Sequence, residues 1–112
     1  MEVRQMTEPI TLAEAKSHLR VLHDDEDAYI EMLIAAAREY AENYQNRVYV
    51  ERTDVNGNPV EAEAMPAMEK AACLLLIGHW FEHRETVNIG SAATEVPLSA
   101  TMILNLRRNL PI

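Results

Sequence analysis

The chain has a single cysteine, Cys73, so it can form no internal disulfide and fits a reducing compartment. Glycine occurs only three times, and no glycine-rich phosphate loop is present. Positive charge is scarce: ten Lys and Arg stand against eighteen Asp and Glu, a net charge of −8. Such a chain is poorly suited to neutralising phosphates, which argues against ordinary nucleic-acid binding. Long apolar runs are missing too. The longest, "AACLLLI", is far too short to cross a bilayer, and the opening "MEVRQMTEPI" has no apolar signal-peptide core. There is no internal repeat or low-complexity tract. What is present is 112 residues, 48% of them hydrophobic, enough for one domain with a real core. The expectation is a soluble cytoplasmic chain.

Local signals give mainly α structure: a small bundle of about four helices, with a short β-hairpin or extended loop between helices 2 and 3. In "TLAEAKSHLRVL", Thr11 and Glu14 form a capping box, predicting a helix from Leu12 to about Arg20 whose apolar side is Leu12, Ala15, Leu19 and Leu22. The acids from Asp24 to Asp27 complement the positive end of a second helix dipole and read as a solvated helix start rather than a metal site. That helix is predicted over Asp25 to Tyr44, with Ile30, Leu33, Ile34, Ala37, Ala41 and Tyr44 in one stripe.

Val48, Tyr49 and Val50 have strand propensity, and "NGN" around Gly57 is a hairpin turn signal. Pro66 suits the first turn of a third helix. On that helix Met68, Ala72, Leu75, Leu76, His79 and His83 share one face, widened by Trp80. Leu74, Ile77 and Phe81 form a second stripe nearly opposite. A helix apolar on both sides is central, and in so small a chain the second stripe is expected to meet another subunit. After "TVNIGSAATEVPL", a loop of the length that usually carries function, Ser99 caps a last helix over about Ala100 to Asn109. Met102, Ile103 and Leu106 are expected to point inward, and Arg107 and Arg108 form a basic tip.

"GHWFEHRE" contains His79, Glu82 and His83 in the order H-x-x-E-H, the spacing of one class of zinc hydrolases. A catalytic zinc needs a third protein ligand, and none is placed to converge. Glu85 lies on the same helix, Glu95 in the loop, and His18 and His23 are not singled out by spacing. The two histidines also share a packing face, so no metal, cofactor or catalytic residue is expected. Cys73 reads as a small buried hydrophobe. Trp80 reads equally as a core residue or an interface anchor.

Three segments in order resemble one family. "ITLAEAKSHLRVLHDDEDAYIEMLIAAAREYAENYQNR" is similar to the opening of the phage head–tail connector proteins, the adaptors of long-tailed phages and prophages. "AACLLLIGHWFEHRETV" resembles their central helix and "EVPLSATMILNLRR" their closing segment, so the likeness spans residues 10 to 108. The middle segment, Val48 to Met65, is short and lacks the long proline-rich insertion of some relatives.

The resemblance implies a structural virion protein, not an enzyme, occupying all of residues 1–112 as one connector domain, with 1–10 as a flexible arm. Subunits of the family form a ring beneath the portal, dodecameric in the virion. The ring extends the DNA channel and presents a docking surface to the next head-completion or tail protein. An acidic chain suits a channel through which DNA slides without sequence-specific binding. The protein is then expected in the host cytoplasm during assembly and at the head–tail junction of the virion, with no membrane partner. Candidate contact residues are Leu74, Ile77, Trp80, Phe81, Arg84, Arg107, Arg108, Asp24, Asp25 and Asp27. The alternatives are a small acidic regulatory or DNA-mimic protein and, last, a zinc hydrolase through His79, Glu82 and His83.

Overall fold

Thr11 and Glu14 do form the capping box. The Thr11 hydroxyl accepts from the Glu14 amide at 3.1 Å, and the Glu14 carboxylate accepts from the Thr11 amide at 2.9 Å. In the computed structural model, which describes residues 8–83 and 97–109, this box starts α1 (Leu12–Leu19). Arg20 ends the helix with φ 60°, and Leu22, expected on the apolar side, is instead 96% exposed beyond it. The expected N-terminal arm is docked where it is described: Ile10 is buried, and both Glu8 oxygens accept from Arg38.

Helix α2 spans Asp27–Gln45 and buries Ile30, Leu33, Ile34, Ala37 and Ala41 of the predicted stripe, with Tyr44 partly buried. It starts later than the acid run suggests. Asn46 closes it in the left-handed conformation at φ 61°, which asparagine tolerates well. The strands are Arg52–Thr53 (β1) and Pro59–Val60 (β2), an antiparallel pair between α2 and α3. Val48, Tyr49 and Val50 are not in it. Glu42 draws them back instead, its Oε2 accepting from the amides of Tyr49 at 2.7 Å and Val50 at 3.2 Å. Gly57 takes φ +84° in the turn, a conformation that favours glycine.

Pro66 caps α3 (Ala67–Glu82), which packs against α1, α2 and α4 (Leu98–Asn105). The helix is central, as its two apolar sides predict, but its own chain supplies the cover. Ala72, Cys73, Leu76, Ile77 and Trp80 are buried in one core with α2 and α4, whereas Met68, expected inside, is 53% exposed. On α4 the inward residues are Ala100 and Leu104. Met102 and Leu106, expected inside, face out, and only Ile103 of the expected three is partly buried.

Candidate functional site

His79 and His83 lie one turn apart, as their spacing requires, but their rings stack at a centroid distance of 4.4 Å rather than converging on a point. His83 Nδ1 is 2.8 Å from the His79 carbonyl oxygen, which can only accept, so that nitrogen carries the proton and is not a metal ligand. Glu82 is exposed on the last turn of α3. Among the described residues no three His, Cys, Asp or Glu side chains gather as a metal site. Cys73 is buried in the core, and burial pushes its thiol up to about 12.

The acid run is answered from within the chain. Lys16 of α1 reaches Asp24 at 2.7 Å and Asp27 at 2.8 Å, and its hydrogen bond holds Asp24 below the usual carboxylate range. Asp25 remains open to solvent beside His23.

Of the second stripe, Ile77 is fully buried in the chain's own core; Trp80, which widens the first, is 7% exposed, its ring edge-on to Tyr40. Phe81 packs partly buried beside Tyr29, with ring centroids 6.2 Å apart. Leu74 is also partly buried. The contact role expected of Ile77 therefore gives way to packing, because the chain's own core leaves it no exposed surface. Arg84 lies outside the described residues.

The basic tip departs most from expectation, since Arg107 closes a polar clasp over the buried Glu69 and Gln45. Its Nε lies 2.8 Å from Glu69 on α3 and its terminal nitrogen 2.7 Å from Glu63. Hydrogen bonds to Tyr49 and Glu63 raise the guanidinium's already high pKa. Gln45, fully buried, completes the clasp. Its amide nitrogen donates to Glu69 at 3.0 Å and to the Leu104 carbonyl at 2.9 Å, while its oxygen accepts from the Tyr49 hydroxyl.

Side chains and backbone of α2's end then take up the free groups after α4. Arg47 Nε donates to the Arg107 carbonyl at 2.7 Å, the Asn109 amide donates to the Gln45 carbonyl at 2.7 Å, and Asn46 donates to the Asn109 carbonyl at 3.2 Å. Arg108 is the outer partner. Its Nε donates to the Tyr44 carbonyl at 2.9 Å, and its guanidinium sits 4.8 Å from the Tyr44 ring centroid. Charge reversal of both arginines therefore cannot leave the monomer untouched, because Glu69 would face a second carboxylate.

A matching site surrounds Glu42, whose four hydrogen bonds come from the Tyr49 and Val50 amides, Arg38 and Arg52. Three buried polar residues, Glu42, Gln45 and Glu69, thus organise one end of the bundle. Sequence reasoning passed over them. A signal was there: Gln45 follows Ala41 by four, and Glu69 precedes Cys73 by four, so both sit on apolar stripes. Their partners, from Tyr49 to Arg107, follow no local period.

One uncovered stripe is apolar. Leu98, Met102 and Leu106 recur every four residues along the outside of α4, at 74%, 62% and 69% exposure. All these elements fall within residues 9–108, which match the family model described as phage gp6-like head-tail connector protein. The chain belongs to that family. Comparison with curated proteins and with solved structures gives no match. As a head–tail connector the protein is a structural component of the phage particle, and the likeness read from three segments extends across every helix. No helix among the described residues of the connector is long and apolar enough to cross a membrane. Its basic end is built as a clasp, and three of its exposed large apolar residues share the outer side of α4 and its C-cap.

Proposed function

We propose that this connector assembles as a ring beneath the portal, extends the DNA channel and offers its far side to the next head-completion or tail protein. The family match over residues 9–108 carries the reading. The uncovered α4 stripe supports it, since three large apolar side chains spaced to share one face of a short helix suit a protein contact. Subunit contact then falls to Leu98, Met102 and Leu106, with Leu74, Trp80 and Phe81 at the margin, while DNA passes without sequence-specific contact.

Six of the eighteen acids are engaged within the chain, which counts against a DNA-mimic surface: Glu42 and Glu69 are buried, and Glu8, Asp24, Asp27 and Glu63 are ion-paired. Molar mass by light scattering across concentration, with negative-stain images, tests the proposal. Ring-sized particles that bind portal-bearing heads are expected. A protein that stays monomeric and leaves heads unoccupied overturns it.

A further inference from the structure

The hairpin projects from the helices and is held to them at its base. The backbones of its two strands lie close only to each other. At its base Arg52 pairs with Glu42 at 3.2 Å, and the Glu63 amide donates to the Val48 carbonyl at 2.9 Å. The tip is nonetheless tightly built. One Asp54 carboxylate oxygen accepts from the amides of Asn56 and Asn58, both at 2.9 Å, while the Asp54 amide donates to the Asn58 carbonyl and the Gly57 amide to the Asp54 carbonyl. Held at the apex of this turn is Val55, 100% exposed. A two-stranded hairpin is marginal by itself. Here hydrogen bonds fix a turn whose one apolar side chain meets only water.

At the opposite end of the molecule lies a cavity of about 370 Å³ lined by His18, Leu19, Arg20, Gly78, Phe81 and Glu82. Gly78 keeps it open, because a Cβ there would sit 3.3 Å from the His18 ring. Leu19 and Phe81 give it an apolar floor. Arg20 stands exposed on its rim with no ion-pair partner among the described residues, and Glu82 stands on another side. Residues 61–66 lead from the hairpin to the first turn of α3, and the cavity lies at the last turn, about 21 Å of helix further on at 1.5 Å per residue. The tip cannot fill its own chain's cavity.

We infer that Val55 at the hairpin tip of one subunit enters the His18–Phe81 cavity of a second copy of this chain. Asp54 then faces Arg20, and the Asn56 side-chain amide is placed to donate to Glu82, which fixes the direction of docking. Knob and hole sit on different surfaces, so the contact can repeat head to tail from copy to copy, as a closed ring requires, whereas a reciprocal exchange would stop at two copies. The inference rests on the ring reading above and gives it one specific interface.

The test uses two single-cysteine additions to the full chain, Val55→Cys and Glu82→Cys, with buried Cys73 left in place. Mixed under mild oxidation, they should give a covalent dimer that neither gives alone, and the double variant should give a ladder of higher species. Val55→Glu should keep the wild-type helical circular dichroism and self-associate about tenfold more weakly or worse. Wild-type rings with no Val55–Glu82 crosslink, and with Val55→Glu assembling normally, would overturn this contact and leave the ring reading standing. A double variant that stops at the dimer, or either single variant that crosslinks with itself, overturns the head-to-tail direction. A wild-type chain that stays monomeric at every concentration overturns both.

Discussion

Arg107 shows how one side chain can be misjudged by its address. Near the end of a short helix in an acidic chain, it reads as a solvated cation complementing a dipole. In the fold it is the counter-charge of Glu69, a carboxylate that is 1% exposed. Arg107→Met should lower stability by about 2 kcal/mol in urea unfolding, below the ~3–5 kcal/mol of a fully buried pair, because the Arg107 side chain is itself 37% exposed. Arg108→Ala removes a surface contact and should change stability by less than about 1 kcal/mol. Equal effects from the two would show that the clasp does not discriminate between them. At the same scale, the Cys73 thiol is held up to about 12 by burial. It should stay unmodified by an aromatic disulfide reagent in the native protein and react fully in urea. Rapid native labelling would mean that the core opens at that point.

At the scale of elements, what the sequence made legible tracks how polarised each helix is. Helix α2 has a true polar side, so its buried stripe could be read from Ile30 to Ala41. Helix α1 was legible from its cap. Helix α4 was not, because "LSATMILN" is apolar nearly all round and no period selects a face. The choice falls to packing: Ala100 permits close approach and Leu104 fills the core, which turns Leu98, Met102 and Leu106 outward. The second stripe of α3 failed for the opposite reason. Its two apolar sides were correct, but the number of neighbours that one chain could supply was underestimated. Ile77→Ala should therefore destabilise the monomer itself by about 3 kcal/mol, as for a buried core truncation. Met102→Ala should leave unfolding within about 0.5 kcal/mol of wild type and weaken assembly instead. A reversed pattern, with Ile77 affecting only assembly, would restore the subunit-contact reading of that stripe.

For the whole molecule, the stabilising charges are mostly carboxylates held in place by donors. Glu14 is lowered by the Thr11 amide and Asp24 by Lys16. Burial alone would raise Glu63, but Arg107 and Arg47 outweigh it and lower it. A carboxylate depressed in the folded state contributes stability above its unfolded value and loses it as the pH falls through its folded value. With ordinary values of 4.5 for Glu and 3.8 for Asp, thermal stability should begin to fall below about pH 4.5. Glu63→Gln should flatten part of that fall. A wild-type melting temperature that rises on acidification from pH 5 to pH 3 would contradict these pairings.

The clasp also sets the order in which the protein can mature. Gln45 bonds to the Leu104 carbonyl across 59 residues, and Arg108 to the Tyr44 carbonyl across 64. A chain made from its N-terminus has α1, α2 and α3 in hand while Gln45 and Glu69 still lack their closing partners. A fragment cut off before Leu104 carries an uncompensated carboxylate and an unsatisfied amide in what should be its interior. A chain that stops short of Arg107 should therefore be a poor folder, open to proteolysis, because the last turn completes the interior of its own bundle.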